Sequence, residues 1–294
     1  MLNQTSFPQS RHAVRKERQQ QPNTETMIRN YSKTIGALAA ASALVAGSAS
    51  AEIEGQLQLG YNTDYIFRGF SRGQDMVEAG SDIATQWNGI DLSAGLWYAS
   101  VQDGHVGNVG PVQLPDGYDE LDIYAEASKD FGFATAYVGY IRYQFLGTDV
   151  QILGNNVRLI DDFAEVYFGL SRELFWGING AVTYYWDIEG DNGGYSELRL
   201  DKTFKLHECV DLVAGARAGY SFEEGQHQHT TLSLTFNVKA SDSVTISPYV
   251  AYSFQGSALE NVDSNPLINK FGLPAQLSPQ RDQFFGGVKV AVSF

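Results

Sequence analysis

Apolar and polar residues alternate along most of the chain from Glu52 to its last residue, Phe294. In the final stretch, 282–294, apolar side chains occupy almost every second position. A period of two places successive side chains on opposite faces of a β-strand, so this strand has one apolar face. A last strand this apolar needs a neighbour on each edge, and a closed barrel supplies both. The pattern therefore predicts that the last strand pairs with the first.

Twelve alternating segments follow one another in this part of the chain, and the breaks between them alternate between short and long. Asn88-Gly89 is a strong signal for a two-residue hairpin turn. An even number of strands with short turns at one end and long loops at the other is the plan of outer-membrane barrels. We therefore predict an all-β fold, a twelve-stranded antiparallel transmembrane up-and-down β-barrel. The longer breaks are predicted at Gly69–Asp75, Ser100–Gly117, Gly147–Asp161, Glu189–Gly194, Glu223–Gln228 and Gln255–Arg281.

Alternation alone does not say which face of the barrel is outside, and a secreted soluble barrel with an apolar interior is the alternative. The chain ending also resembles the C-terminal signature of bacterial outer-membrane proteins, an aromatic last residue preceded by alternating apolar ones. That resemblance implies outer-membrane lipid and the barrel-assembly machinery as partners, the latter through the strand that ends at Phe294. Aromatic residues near strand ends also favour lipid outside: Tyr65, Phe67, Trp87, Tyr98, Trp186 and Phe254.

The N-terminal part reads as a targeting segment. Residues 27–51 combine a basic start at Arg29 and Lys33, an apolar run at Ile35–Gly47 and a small-residue cleavage site. This is the make-up of a secretory signal peptide, and the apolar run is too short for a membrane-spanning helix. We expect residues 1–26 to be an extension without a fold, either disordered or upstream of the true start, and residues 52–294 to form the barrel.

Charge and cysteine content narrow the function classes. The chain has 34 acidic against 20 basic residues and a formal net charge of −14. Nucleic-acid binding needs a basic face, so we expect no nucleic-acid partner. Cys209 is the single cysteine of the sequence, which leaves no internal disulfide.

The first predicted hairpin resembles the N-terminal signature of the TorF family of porins, roughly Ser-Asp-Tyr-x-Phe-Arg-Gly-x-Ser-Gln. Asn62-Thr63 stands in place of the usual Ser, and Arg72 where Gln is common. The resemblance covers the first strand and its turn, and elsewhere rests on the strand pattern. It implies an outer-membrane barrel with a pore, and it supplies no solute. The matching residues are Asp64, Tyr65, Phe67, Arg68, Gly69 and Ser71.

Charged residues on the predicted inner face are the candidate pore lining. They could form a charged constriction that sets ion selectivity, or a ladder of ion pairs that plugs a narrow barrel. Twelve strands lie between filled eight-stranded and open sixteen-stranded barrels, and we favour a narrow pore. The candidates are Asp122, Glu126, Arg142, Glu165, Glu197, Arg199, Asp201 and Arg217.

At the mouth, Asp64, Arg68 and Arg72 are candidate pore-mouth residues, and an exposed pairing of Arg68 with Asp64 is the favoured interpretation over anion capture. His227 and His229 are weak metal-ligand candidates, more simply read as solvated loop residues, so no metal is predicted. No cofactor is expected either. The sequence contains no Gly-x-Ser-x-Gly elbow, phosphate loop or zinc-binding cysteine pattern, so we expect no enzyme.

Together these features predict a bacterial outer-membrane channel for passive diffusion of small polar solutes or ions, with a mild cation preference. The alternative is a plugged, non-conducting barrel that serves as a surface adhesin or structural anchor through its long loops. A barrel hydrolase is a third hypothesis. The solute, the pore width and the oligomeric state are left open.

Overall fold

The computed structural model describes residues 53–104, 117–152, 155–190, 193–260 and 282–294. The predicted extension 1–26 and signal peptide 27–51 lie outside these ranges, as do most of the predicted loops Ser100–Gly117 and Gln255–Arg281. The described strands are β1 Glu54–Phe67, β2 Phe70–Trp87, β3 Ile90–Asp103, β4 Tyr118–Asp130, β5 Thr135–Leu146, β6 Asp149–Ile152, β7 Asn155–Arg158, β8 Phe163–Glu173, β9 Ile178–Asp187, β10 Tyr195–His207, β11 Val210–Ser221, β12 Gln226–Lys239, β13 Val244–Gln255 and β14 Gln283–Ser293. Single 3-10 turns lie at Phe175–Gly177 and Ser257–Leu259.

Twelve of these strands close into one antiparallel barrel, which confirms the predicted fold class. The short strands β6 and β7 form a separate hairpin within the predicted loop Gly147–Asp161. Closure takes place between β1 and β14, whose register pairs Gln56 with Ser293. The amide of Gly55 donates to the carbonyl of Phe294 at 2.8 Å, and the amide of Phe294 donates back at 2.9 Å. The last strand therefore has a neighbour on both edges.

The outer surface of the barrel is apolar. Phe284 is 69% exposed and Val290 38%, on the apolar face predicted for the last strand. Leu198 and Phe168 lie outward in the same way on β10 and β8. An exposed apolar band around a closed barrel requires lipid outside, because strands can cross a bilayer when every backbone group is paired within the barrel. Among the described residues, no helix is both long and apolar enough to span a bilayer.

The predicted loop Gly69–Asp75 is wrong, because Gly69 belongs to a tight turn and the residues from Phe70 onward belong to β2. β1 and β2 are joined by a two-residue turn in which Arg68 has φ of 52° and Gly69 a φ of 79°. The predicted turn Asn88-Gly89 has the same backbone form, with φ values of 51° and 74°. Such left-handed turns match the twist of a hairpin and favour Asn and Gly, so Arg68 is the unusual residue among these four.

The end of the first hairpin leaves the barrel wall and folds into the lumen. β1 pairs with β14 as far as Asn62 and Gly287, while its pairing with β2 continues to the turn. Tip backbone groups bond to β12 and β13: Gln228 donates to the carbonyl of Arg68 at 3.0 Å, and Gln255 to that of Gly69 at 3.2 Å. We call residues Thr63–Asp75 the inner hairpin.

An apolar cluster inside the barrel holds the inner hairpin. Tyr65 packs on Trp97 with ring centroids 5.8 Å apart, and Phe67 meets the ring of Tyr143 edge-on at 5.8 Å. Burying one such side chain stabilises by roughly 1.5–3 kcal/mol, so the cluster is a small core within the lumen. Its buried members are Tyr65, Met76, Ala99, Val101, Tyr118, Tyr143 and Phe145.

Candidate lumen constriction and its cavities

An ion pair crosses the lumen between the inner hairpin and the opposite wall. Arg68 donates through Nη1 to Oε1 of Glu165 at 2.8 Å and through Nη2 to Oε2 at 2.6 Å. The side chain of Glu165 is 3% exposed and that of Arg68 15%. A two-pronged, charge-assisted pair of this kind fixes both position and orientation. It therefore ties the hairpin tip to β8.

Aromatic rings surround the Arg68 guanidinium. Its carbon lies 4.3 Å from the ring centroid of Tyr195, 4.6 Å from that of Tyr185 and 4.8 Å from that of Phe67. The hydroxyl of Tyr143 donates to Oε2 of Glu165 at 3.1 Å. Cations over aromatic faces are attracted by the ring quadrupole, the more so when desolvated. We call the group formed by Phe67, Tyr143, Glu165, Tyr185 and Tyr195 the Arg68 cage.

A cavity of about 530 Å³ lies at the long-loop end of the barrel, on one side of the cage. In outer-membrane barrels this end faces the cell exterior, and we call this cavity the vestibule. Arg68 and Arg72 are its basic lining residues. The acidic lining residues are Asp161, Asp162, Glu165, Asp187, Glu189 and Glu223.

Below the cage lies a lower cavity of about 600 Å³ in which the charges balance. Glu197 faces Arg217 at 3.9 Å, and the side chain of Arg199 pairs with Asp201 at 2.7 Å. The hydroxyl of Tyr167 donates to Glu126 at 3.0 Å. No residue that lines the vestibule also lines the lower cavity. The Arg68 cage lies between them, since Arg68 and Tyr195 border the first and Tyr143 and Tyr185 the second.

A third cavity of about 440 Å³ lies on the other side of the inner hairpin, against β13 and β14. Glu78 pairs there with Lys289 at 3.5 Å and accepts a hydrogen bond from the indole of Trp97 at 2.7 Å. The inner hairpin thus lies among these three polar cavities of the described lumen, and charged side chains pair in each of them.

Most of the predicted pore-lining residues lie on the inner face. Asp122 and Glu165 are buried beside the hairpin, while the remaining five border the lower cavity or pair with residues that do: Glu126, Glu197, Arg199, Asp201 and Arg217. Their role in selectivity stays a prediction. Sequence reasoning missed the cage tyrosines and the buried Glu120, although inward Tyr and Glu positions in the strand pattern carried the signal.

Arg142 was predicted to line the pore, and this is wrong. It pairs in register with Ile123, which is 43% exposed, so both point outward. Its guanidinium bonds Glu189 and lies 4.0 Å from Asp162, above the apolar band. The inner face of β5 is aromatic because it packs against the inner hairpin. On this strand the rule of a polar inner face is therefore reversed.

The favoured pairing of Arg68 with Asp64 is also wrong, because Arg68 binds Glu165. Asp64 accepts hydrogen bonds from Thr63 at 2.8 Å and Gln74 at 3.3 Å within the hairpin. The guanidinium of Arg72 lies over two rings of the same hairpin, including Phe70 at 5.2 Å. Of the three mouth candidates, Arg68 is thus the one that crosses the lumen.

His227 and His229 occupy different environments because a β-bulge interrupts β11 and β12 between them. His229 is buried, with Nε2 2.8 Å from the Tyr195 hydroxyl and Nδ1 3.0 Å from Thr231. His227 is exposed and bonds Thr230. In the described part of the chain, no three His, Cys, Asp or Glu side chains are arranged to hold a metal ion.

Neighbouring tyrosines form a ladder that climbs the inner wall from the lower cavity to the cage. Ring centroids are 6.5 Å apart between Tyr137 and Tyr167, 5.5 Å between Tyr167 and Tyr185, and 5.9 Å between Tyr185 and Tyr195. The Tyr167 ring covers Gly139, its register partner on β5. The missing side chain at that position lets the ring lie flat against the wall.

We expect Gly139→Ala to destabilise the barrel, since the added methyl would collide with the Tyr167 ring. Overpacking of this kind costs about 1–3 kcal/mol. Urea unfolding of the barrel in lipid vesicles measures the loss. In a Tyr167→Ala background the same glycine change should cost almost nothing. An equal cost in both backgrounds would contradict the assignment to the ring.

A closed antiparallel barrel with an apolar outer face and a charged, cavity-bearing interior is a membrane β-barrel. Within that class, the chain belongs to a family described as bacterial protein of unknown function (Gcw_chp), whose model matches residues 46–252. In bacteria, single-chain membrane β-barrels lie in the outer membrane, which is where this chain belongs. The matching family model does not carry the TorF name, so that resemblance stays a prediction.

Several solved structures are similar to this chain at low sequence identity. A KdgM porin is 11% identical, with 81% of this chain and 99% of that one covered and a TM-score of 0.46. The COG4313 outer membrane channel from Pseudomonas putida F1 is 8% identical, covering 85% and 97%, with a TM-score of 0.45. An anion-selective porin from Comamonas acidovorans is 10% identical, covering 83% and 99%, with a TM-score of 0.35. No curated protein matches the chain in sequence.

Proposed function

We propose that this barrel is an outer-membrane channel for small polar solutes or ions, with the inner hairpin as its barrier. The observation that carries this proposal is that the Arg68 cage separates two polar cavities. The vestibule and the lower cavity together offer a wet path along the lumen, and the Arg68 cage is the layer between them. An inner hairpin that served only to fill the barrel would not need cavities of this size on both sides of the cage.

A mild cation preference is part of the same proposal. The lower cavity has two carboxylates and two guanidiniums. The vestibule lining has six carboxylates and two guanidiniums. Two of these carboxylates also pair with Arg142 and Arg158 from outside the lining, so an acidic excess of two remains. Rings of acidic side chains at a pore entrance concentrate cations and repel anions. The vestibule, rather than the narrowest layer, is therefore the expected origin of the preference.

Replacing vestibule carboxylates should lower this preference. We expect the double variant Asp161→Asn, Glu223→Gln to shift the reversal potential toward that of an unselective pore, because fewer anionic groups face the entering ion. Single-channel recording of the barrel in a planar bilayer under a salt gradient measures it. Glu208→Gln is the matched control, since this exposed residue lies in the turn between β10 and β11. An unchanged reversal potential in the vestibule variant would contradict the proposal.

The second candidate is the plugged barrel that acts as a surface adhesin or anchor. The observation that favours it is the apolar cluster, which holds the inner hairpin in the lumen. The same recording separates the two functions. Discrete current steps support the channel, whereas a folded barrel without steps supports the plug and directs attention to the long loops. We propose no enzymatic activity for either form.

We also propose that assembly begins at β14, which is followed directly by Phe294, a residue 64% exposed on the lipid side. Barrel-assembly machinery would engage this strand before its edge pairs with β1. Outer-membrane lipid is then the partner of the apolar band.

A further inference from the structure

The Arg68 cage has the composition of a binding site for a cation, and the chain fills it with its own side chain. A buried carboxylate that accepts two hydrogen bonds and three rings at 4.3–4.8 Å meet one guanidinium. Aromatic cages with a carboxylate are a recurrent solution for organic cations. The side chain of Arg68 therefore stands where a free cation of the same chemistry would fit.

The strained backbone at Arg68 indicates that this residue is held in the cage mainly by the contacts of its side chain. Arg68 has a φ of 52°, a left-handed conformation that favours Gly and Asn and is strained for other residues. A register shift between Tyr65 and Ile66 separates the turn from most of the hairpin that packs in the apolar cluster, and Phe67 continues that packing beyond the shift, on Tyr143. Apart from the cage, the backbone of the turn is tethered by Gln228 and Gln255. Loss of the cage contacts would thus release a short tip rather than the whole hairpin.

We propose that the cage is a binding site for small solutes that carry a guanidinium or alkylammonium group, and that such solutes compete with Arg68 for it. This inference rests on the proposed channel function and names the solute class of that channel. A cation drawn into the acidic vestibule reaches Glu165 and Tyr195, which border that cavity. When it takes the place of Arg68, the tip moves and the path to Tyr185 and the lower cavity opens.

The first test uses the full-length barrel and two probes of the same shape. Methylguanidinium at low millimolar concentration should raise the open probability of single channels in a planar bilayer. Methylurea, which is the neutral counterpart of methylguanidinium, should leave it unchanged. An equal rise in open probability with both probes would overturn the proposal, and so would the absence of a rise with methylguanidinium.

The second test empties the cage. In the Arg68→Gln barrel, calorimetric titration with methylguanidinium should detect binding, since Glu165 and the rings are then vacant. Adding Glu165→Gln to this variant should raise the dissociation constant at least tenfold, because the two-pronged acceptor is lost. Adding Glu208→Gln instead should leave it unchanged. Absence of binding to Arg68→Gln, in barrels shown to be folded by heat-modifiable gel migration, would overturn the proposal.

The two proposals fail in different ways. Arg68→Gln barrels that conduct but neither bind nor respond to methylguanidinium retain the channel and reject the cage as its solute site. Barrels that bind methylguanidinium in a manner dependent on Glu165 but never conduct reject the channel and retain the cage.

Discussion

A barrel with a shortened inner hairpin should conduct several times more current than the natural barrel. Asn62 and Met76 are register partners at the point where β1 leaves β14. Joining them through Asn-Gly, in place of residues 63–75, makes a favourable two-residue hairpin turn. The change removes Arg68 and the rings of Tyr65 and Phe67 from the lumen, so the three cavities should merge into one pore.

Single-channel conductance in symmetric salt measures this effect. The control is a barrel in which Ser241–Ser243, the turn between β12 and β13 at the opposite end, is replaced by Asn-Gly. This second change alters a hairpin without touching the lumen, and its conductance should equal that of the natural barrel. If the shortened barrel folds and its conductance is unchanged, the inner hairpin is not the barrier.

The strand order and the lipid-facing side could be predicted because they follow from local alternation. Each strand repeats an apolar and a polar position, and one closed barrel satisfies every edge. Pairs such as Leu198 and Leu200, with Arg199 between them, keep their predicted faces in the structure. Short turns such as Asn88-Gly89 likewise set the register of the strands that they join, and they can be recognised from the local sequence.

The inner hairpin could not be predicted because its alternation continues that of the wall. Leu59, Tyr61, Tyr65 and Phe67 share one face of a single strand, yet the first two face lipid and the last two pack inside the lumen. Periodicity distinguishes apolar from polar faces and does not say whether an apolar face meets lipid or protein. The switch depends on β14 ending its pairing at Asn62, which is a tertiary contact.

The same limit explains the errors at the site. Arg142 was placed inward because its strand neighbours are aromatic, and those aromatics face the hairpin instead of lipid. Arg68 and Glu165 are 97 positions apart, so a local partner such as Asp64 was favoured over the true one. One signal was available. An Arg in a turn position that favours Asn or Gly indicates that its side chain makes contacts that offset the backbone strain.

Reversing the charge of Arg68 should open the barrel permanently. In the Arg68→Glu variant two carboxylates would face each other in a buried layer, and like charges placed this way cost several kcal/mol. The tip can escape this cost by leaving the cage, because what otherwise holds it is the packing of Phe67 on Tyr143 and two hydrogen bonds to the backbone of the turn. We expect sustained conductance well above that of the natural barrel, together with loss of any response to methylguanidinium. Glu165→Arg should give the same open state through repulsion between two guanidiniums.

Combining the two reversals distinguishes the ion pair from a general loosening of the lumen. The double variant Arg68→Glu, Glu165→Arg restores opposite charges across the same gap, so its conductance should fall back toward that of the natural barrel. Recovery need not be complete, since the cage rings attract a guanidinium and would then face a carboxylate. A double variant that conducts as much as either single one would mean that the tip is held by packing alone. In that case the barrier would reside in the rings of Tyr65 and Phe67 rather than in the charge pair.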